Sequence, residues 1–597
     1  MRGQGVERDA GRMQHRLLVD PRQGDVEDDA ASPGQRSLLA IAGSLLVEIS
    51  LPKLLVAWTV LLLVPAALLG LAPLLVSAWF STLTDKLAAL TGIGTAFALL
   101  AIAAVGWIGW RPLFRLAETN FWSLNALAVQ PGYAFTREAL RHLAERISGR
   151  KLTARGQARL RSAISAAAGI VLSAGAVLIA ILVWPGTRWT GGWNDLILLH
   201  RIALPTLANA VLLVSLYLAA ASLAWGFADA SMSQPVDLAA FESVAPDVRR
   251  WRVAHLSDLH VIAEQYGFRI ESGRAGPRGN DRLGRLLANL AAIHAADPLD
   301  HILISGDMTD AGRASEWAVL LDAMALHPEL AARTVMLPGN HDVNIVDRAN
   351  PARLDLPFSP NMRLRQIRTL SALAAVQGDR VHVVDANGKL TATLQEALAP
   401  HRDAIVALAE HGGVRRAAGL RDLFDSQFPM IVPPEAADGL GIAILNSNAR
   451  THFSFTNALG LVSVEQTHRF EAAARHYPQA RWIVALHHHV VEYPIRVKKF
   501  SERIGTALIN GSWFVRRLET LAGRAVVMHG HRHIDWIGTC GSLKIISAPS
   551  PVMNATDEAA THFYIHTLAA GSDGELALLP PERVAIAGDK TSEGVHS

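Results

Sequence analysis

Hydrophobic and polar positions divide this chain into two stretches of different character. Uncharged apolar runs occupy 54–84, 87–110, 162–184 and 202–228, each as long as the about 20 residues needed to cross a bilayer core. Trp58, Trp79, Trp107, Trp110, Trp184 and Trp225 fall towards the ends of these runs, where aromatic side chains anchor at the lipid–water interface. Core helices of a soluble protein would carry a charged face over such a length. The pattern therefore predicts an all-α transmembrane domain of about four helices within 37–230. The first run holds Pro65, Gly70 and Pro73 and reads as one kinked span; a tight hairpin there would change the parity of the whole topology.

Ahead of the runs, residues 1–36 are polar and charged, which predicts a disordered tail and no cleavable signal peptide. Residues 37–49 form an apolar lead-in suited to the membrane surface. From Ser243 onward charge returns at ordinary density, and β-rich runs alternate with helical ones. Strands are expected at 252–256, 301–305, 334–337, 442–445, 482–486, 525–528, 543–547 and 562–567, and helices at 282–296, 314–325, 363–376, 392–409 and 464–475. This is an α/β or α+β enzyme over 245–582. The stretch 343–440 reads as a helical insertion, a cap or a structural decoration, and 583–597 as a disordered C-terminal tail.

Charge changes the picture in two ways. The net charge of +3 is small for 597 residues, and with no basic stripe interleaved with aromatics in the second stretch no specific nucleic acid partner is expected. The loop between the second and third runs carries basic residues from Arg111 to Arg161, whereas the neighbouring loops offer Lys86, Arg188 and Arg201. The positive-inside rule puts the basic loop in the cytoplasm. Four spans then place the N-terminal tail and everything after Ala228 on that side, as an integral protein of the inner (cytoplasmic) membrane, with the bilayer itself as a partner. No acid, Lys or Arg interrupts the runs, so an anchor is favoured over a transporter. The loop at 137–161 could also meet anionic headgroups. A single cysteine, Cys540, excludes an intramolecular disulfide and a cysteine-based zinc finger.

Chemistry concentrates where the apolar strands end. Asp258 and His260 stand two apart beyond the first strand, Gly306-Asp307 follows Ile302–Ser305, and Gly339-Asn340-His341-Asp342 follows Val335–Leu337. His487-His488-His489 closes Trp482–Leu486, and Gly530-His531-Arg532-His533 follows Val526–Met528. Carboxylate, amide and imidazole ligands together suit Fe, Mn or Zn better than a Mg or Ca cage. The phosphate-binding Gly-x-x-x-x-Gly-Lys-Ser/Thr loop and the His-Glu-x-x-His helix are both missing. Asp310 reads as a loop-stabilising acceptor, His255 and His529 as core histidines, and His489 as facing solvent or substrate.

In this order, each after a strand, the motifs resemble the calcineurin-like metallophosphoesterases over 252–568. Within that superfamily, residues 254–260, Leu445-Asn446-Ser447-Asn448, Gly460, Gln466 and 486–489 look most like class III cyclic nucleotide phosphodiesterases. The resemblance implies a four-layer sandwich of two mixed β-sheets flanked by helices, with two metal ions among Fe, Mn and Zn. It puts Asp258, His260 and His533 on one ion, Asn340, His487 and His531 on the other, and Asp307 between them. His341 would serve the leaving group, with Asp342 fixing its tautomer; His488 is an alternative ligand, and Arg532 and His488 are candidates for contact with substrate. The implied function is a membrane-anchored phosphoesterase that hydrolyses a phosphodiester or phosphomonoester through a two-metal-activated hydroxide. Cyclic nucleotides and lipid-linked phosphates or pyrophosphates are the substrates to compare. A membrane signalling or interaction protein with a regulatory phosphoesterase module is the reading from another class.

Overall fold

The computed structural model describes residues 17–20, 51–89, 129–148, 154–263, 279–347, 353–356, 359–452, 454–494, 508–553, 559–571 and 574–588, with four single positions between 97 and 107. They form two compact units, one built on Ser50–Met232 and the other on the segments before and after it.

In the first unit, α1 (Leu51–Trp58), a π-helical segment (Thr59–Leu63) and α2 (Val64–Ala89) run without a break. The expected first run is thus one helix. Pro65 cannot donate to the carbonyl four residues earlier, and the π segment just ahead of it is where the helix absorbs that loss. After α3 (Gln130–Ser148) come α4 (Ala154–Val183) and α5 (Leu199–Ser231). Among the described residues three stretches are long and apolar enough to cross a membrane: Val64–Thr84, Gly156–Gly186 and His200–Ser231. The expected span at 87–110 lies, beyond Ala89, outside the described residues except for Phe97, Leu100, Ala104 and Trp107, which are helical and exposed.

Small residues let these helices touch. A Cβ on Gly226 of α5 would lie 2.9 Å from Gly169 Cα of α4 and 2.9 Å from Ser165 O, so the two backbones approach as small-residue interfaces in membranes do. Asn209, fully buried in α5, donates to Gly70 O (3.0 Å) and Arg188 O (2.7 Å) and accepts from Arg188 N–H (3.0 Å). That polar side chain is therefore satisfied at both ends. Leu178, Ile181 and Leu182 of α4 and Leu204 and Leu207 of α5 face outward, a surface suited to lipid.

The second unit holds two mixed sheets. The smaller has the order β14-β13-β2-β3-β4, with β15 also paired to β13; these are β2 (Arg250–Leu256), β3 (His301–Ile304), β4 (Thr334–Met336), β13 (Thr561–Ala570), β14 (Leu576–Leu578) and β15 (Glu582–Ile586). The larger runs β1-β11-β12-β10-β9-β8-β7-β5-β6, from β1 (Pro235–Asp237), β5 (His382–Val384), β6 (Leu390–Thr393), β7 (Met430–Val432), β8 (Leu440–Ile444), β9 (Arg481–Ala485), β10 (Ala525–His529), β11 (Trp536–Cys540) and β12 (Leu543–Ser547). Strands β2, β3 and β4 are mutually parallel, as are β8, β9, β10 and β12. Both sheets feed one hydrophobic core, which includes Ile302, Leu303, Ile442, Ile483 and Val526. Helices α6 (Asp281–Ala296), α7 (Ala314–Ala325), the single turn α8 (Asn340–Val343), α9 (Pro360–Gln377), α10 (Arg402–His411), α11 (Val464–His476) and α12 (Gly511–Leu518) connect and flank the strands.

Several expectations are corrected. The stretch 343–440 is not a helical cap: β5, β6 and β7 extend the larger sheet, and α9 is buried along most of its length. The helix expected at 392–409 is broken around Pro400 into Leu394–Leu398, a 3₁₀ turn and α10, since proline supplies no N–H and crowds the preceding turn. Strand β15 pairs with β13 over Glu582–Ile586, so the C-terminal segment stays in the sheet past 583. Within the tail expected to be disordered, Leu17 and Val19 are buried in the core of the second unit. The lead-in at 37–49 lies outside the described residues.

Replacing Gly226 by Leu would force α4 and α5 apart, and overpacking of this kind costs about 1–3 kcal/mol. The expected outcome is a lower thermal midpoint for the detergent-purified chain, measured by loss of the monodisperse species on heating, while Gly175→Leu, where nothing lies within 4 Å of the added Cβ, leaves it unchanged.

Candidate metal centre

Each sheet presents the C-terminal ends of its parallel strands to the same place. From the smaller sheet, β2 leads to Asp258 and His260, β3 to Asp307 and β4 to Asn340; from the larger, β9 leads to His487 and β10 to His531 and His533. Turning off the strand at once has a backbone signature. Asp258, His260, Asp307, His531 and His533 have φ between 44° and 75°, and they are the non-glycine residues in that left-handed region among those described. Such backbone is disfavoured for side chains with a Cβ and persists where the surroundings enforce it. Close approach of the loops needs glycine: a Cβ on Gly339 would lie 2.1 Å from Asp307 Oδ1, and one on Gly530 1.7 Å from Ser257 Oγ.

Two clusters result. In the first, His533 Nε2 stands 3.3 Å from His260 Nε2 and 3.3 Å from Asp258 Oδ1. In the second, His487 Nε2 is 3.2 Å from His531 Nδ1, 3.1 Å from Asn340 Oδ1 and 3.2 Å from Asp307 Oδ2. Asp307 Oδ2 is also 3.9 Å from His260 Nε2, which places this oxygen between the clusters. Apart from partly buried His531 and His533, all these residues are buried.

The second bonds of the histidines fix which nitrogen is free. His487 Nδ1 lies 2.8 Å from Ser305 O; a carbonyl only accepts, so Nδ1 carries the proton and Nε2 presents its lone pair inward. His260 Nδ1 faces Asp310 Oδ1 at 3.3 Å, turning its Nε2 to the first cluster. Imidazole nitrogens, carboxylate oxygens and an amide oxygen thus converge with their acceptor sides together. A proton or a cation reconciles such a set, and the mixture of N and O ligands fits transition metals. The three-residue groups Asp258–His260–His533 and Asp307–His487–His531 each have ligand atoms within 4.8 Å of one another; a third such group, His260–Asp310–His341, lies alongside them.

Charge in the centre reflects this crowding. Burial disfavours ionisation of Asp307, but the imidazoles of His487, His341 and His260 outweigh it and hold the carboxyl below its ordinary range. Burial opposes charge on His487 too, yet Asp307 and Asp258 push it up to about 9, so a proton on the inward Nε2 is the alternative to a cation held there. His531, buried beside His488 and His487, is held well below the usual histidine value and is a neutral donor of electrons.

The role expected for Asp342 is corrected. Its Oδ1 accepts from Thr309 N–H (2.9 Å) and Thr309 Oγ1–H (2.7 Å), and its Oδ2 from Gly339 N–H (2.9 Å) and Met308 N–H (3.3 Å). It ties the β3 and β4 loops together and does not orient His341. That function falls to Asp310, whose carbonyl lies 2.7 Å from His341 Nδ1; the backbone of His341 donates to Asp307 Oδ1 at 2.8 Å. His489 is also corrected: it is 2 % exposed and stacks on Tyr493 and His531, with ring centroids 5.7 and 6.0 Å apart. Arg532 is neither solvated nor clear of other partners, since it pairs with Glu492 at 3.4 Å and lies over the Tyr493 ring. His488 is buried against Gly460 and bonds Ser447 Oγ at 2.9 Å. His255 bonds Ser305 Oγ at 3.0 Å, and burial holds both His255 and His529 below the usual histidine value, His529 at about 3.

Sequence reasoning named Asn446, Ser447, Asn448 and Gln466 for the resemblance they carry and gave them no part in holding the histidine segment. Ser447 Oγ accepts the N–H groups of His487 (3.2 Å) and His488 (3.1 Å), Gln466 closes two bonds on the backbone of Asn446, and Asn448 Nδ2 donates to Pro338 O, one residue before Gly339. The clustering of Asn446, Ser447 and Asn448 straight after a strand is the signal that pointed there.

Comparison with known proteins bears on this centre. The family model described as calcineurin-like phosphoesterase matches residues 252–428. The chain carries a calcineurin-like metallophosphoesterase domain. The match takes in Asp258 to Asp342 and stops before His487, His531 and His533, and the domain is that of a metal-dependent phosphoester hydrolase. No curated protein matches the chain. Among solved structures, a dimetal phosphatase from Danio rerio is 12% identical with a TM-score of 0.33, over 57% of this chain and 99% of that one. A protein assigned as a 5′-nucleotidase from Staphylococcus aureus is 13% identical with a TM-score of 0.28, over 57% of this chain and 55% of that one. At these scores neither neighbour bears on substrate.

His341→Ala is expected to leave metal content unchanged and to lower turnover by about 10²–10⁴-fold, the range for loss of a general acid. Asp258→Asn should lose metal as well as activity. Metal analysis of the purified variants beside their rates checks both, and metal loss in His341→Ala would overturn the separation of roles.

Proposed function

We propose that this chain is a membrane-anchored phosphoesterase whose centre takes two metal ions, with Asp258, His260 and His533 holding one, Asn340, His487 and His531 the other, and Asp307 contacting both. The observation that carries this reading is the position of Asp307 Oδ2 between two clusters of inward-facing imidazoles. Bound there, two cations among Fe, Mn and Zn would supply neutralising charge for a phosphate group and a water acidic enough to lose its proton near neutral pH. His341, with Nδ1 bonded to the Asp310 carbonyl, keeps Nε2 for a proton that it gives to the leaving alkoxide. Asp342 keeps the loops that carry Asp307 and Asn340 in register.

The substrate is a phosphate ester. A phosphodiester, cyclic nucleotides included, is the first reading, because the segments at 445–448 and 486–489 resemble the class III phosphodiesterases; the order Asn446, Ser447, Asn448 and His487 supports it by buttressing one ligand through Ser447. A lipid-linked phosphate or pyrophosphate is the alternative that a membrane anchor favours.

The anchor reading is supported by three apolar helices, and its sidedness by the basic loop. Burial of Leu17 and Val19 in the same core as the catalytic strands further supports one side for the N-terminal segment and the catalytic domain, because a segment cannot pack there from across a bilayer. An even number of crossings between them is the arrangement this favours, with the apolar run expected at 87–110, which lies mostly outside the described residues, as the fourth. Reporter fusions at the N-terminus and after Ser597 should both report the cytoplasm; opposite sides for the two ends would sink this arrangement.

For activity, the full chain in detergent should hydrolyse bis-p-nitrophenyl phosphate with Mn, lose that activity to a chelator, and regain it on adding Mn. A panel of cyclic nucleotides, phospholipids and nucleoside diphosphate lipids then ranks the substrate classes. A chain that binds no metal and cleaves none of these esters would overturn the enzyme reading.

A further inference from the structure

The N-terminal segment makes a contact that the chemistry above does not use. Leu17 and Val19 are 6 % and 7 % exposed, while Leu18 and Asp20 between and after them are half-buried, in a segment that bends at Leu18 and Val19. Leu18 N–H and Val19 N–H both donate to Ser371 Oγ at 3.0 Å, and Ser371 Oγ–H is 3.3 Å from Val19 O. Ser371 sits in α9 and is itself 1 % exposed. The same helix holds the metal-centre loops: Thr369 Oγ1–H donates to Asp342 O at 3.2 Å, Arg365 Nε–H to Val343 O at 3.3 Å, and Arg368 Nη1–H to Gly312 O at 2.6 Å. Those carbonyls belong to the turn that carries Asn340 and His341 and to the loop that begins at Asp307.

We propose that the surface of α9 at Ser371 is a binding site for a short bent apolar segment, that the chain's own Leu17–Asp20 is its occupant, and that the seated segment holds α9 against the metal-centre loops. Two aliphatic side chains and a forked pair of hydrogen bonds favour the seat, and the ordering of a segment hundreds of residues away in sequence opposes it. The balance is small enough for the seat to be emptied by a change in the segment alone. Ser371 is on this argument a positioning residue: it acts on the centre through Thr369, Arg368 and Arg365, two, three and six residues before it on one helix. The idea that occupancy affects turnover rests on the phosphoesterase reading; the idea that the segment holds α9 does not.

The test uses the full chain in detergent. Leu17→Asp/Val19→Asp removes the occupant without altering the catalytic domain, and hydrogen exchange over 360–377 reads the seat directly. The expected result is exchange in α9 faster by about tenfold, hydrolysis of bis-p-nitrophenyl phosphate reduced severalfold, and recovery of both on adding a peptide of residues 14–23. Ser371→Ala should give the same exchange phenotype without rescue by the peptide. Unchanged exchange over 360–377 in the double variant overturns the proposal, whatever the activity; faster exchange in a chain that has no hydrolytic activity before mutation keeps the seat and discards the phosphoesterase reading instead.

Discussion

Everything in the catalytic unit answers to one constraint, the convergence of acceptor atoms in a largely buried place. Two imidazole nitrogens 3.3 Å apart at His260 and His533, and two more 3.2 Å apart at His487 and His531, would repel one another with their lone pairs aligned. The carboxylates of Asp258 and Asp307 stand among them, both buried. Burying such a set costs free energy unless positive charge is shared between the groups. The surroundings are arranged to enforce the approach: left-handed backbone at five of the positions, glycines where loops cross, and carbonyls that fix the imidazole tautomers.

That constraint also explains the topology. Strands β2, β3 and β4 of one sheet and β9 and β10 of the other end at the centre, so the ligand set is incomplete until the two sheets pack. Ligands separated by hundreds of residues cannot be preformed in an unfolded chain, and any free energy of metal binding is then shared with folding. Asp342 belongs to the same logic. Four donors from two loops meet at its carboxylate, and although burial and the nearby Asp307 push it up to about 6, those donors stabilise the ionised form. It holds the β3 and β4 exits in register before a metal or a substrate arrives.

Much of this was legible in the sequence, and the limits have physical causes. An apolar run of four or five residues marks where a strand ends, so Asp258, Asp307, Asn340, His487 and His531 could be placed at one edge of the sheets by pattern alone. Neighbours in a helical turn are less legible: Asn340–Val343 is α-helical, successive side chains diverge by about 100°, and Asp342 points away from His341 although it follows it. The three histidines at 487–489 diverge in the same way once the strand ends, and His489 turns inward onto Tyr493. Strands β5, β6 and β7 have three or four residues each, too few for a period of two to stand out. The seat of Leu17 and Val19 was hidden for a different reason. Three apolar residues, Leu17-Leu18-Val19, are too short a run in a polar tail to carry a signal, and the Ser371 that receives them is some 350 positions away.

The helical unit and the catalytic unit resolve their polar groups by opposite means. In the helical unit, the buried side chain of Asn209 is satisfied by backbone at both ends, and small residues at Gly169 and Gly226 bring the helices into contact, leaving apolar side chains for the surroundings. In the catalytic unit the reverse holds. Acceptors are gathered beyond what the chain's own donors satisfy, at the ends of strands, where loops can be varied without disturbing the core. Under the proposed anchor reading those two patterns divide the labour: the helices would supply position, and the strand ends supply chemistry.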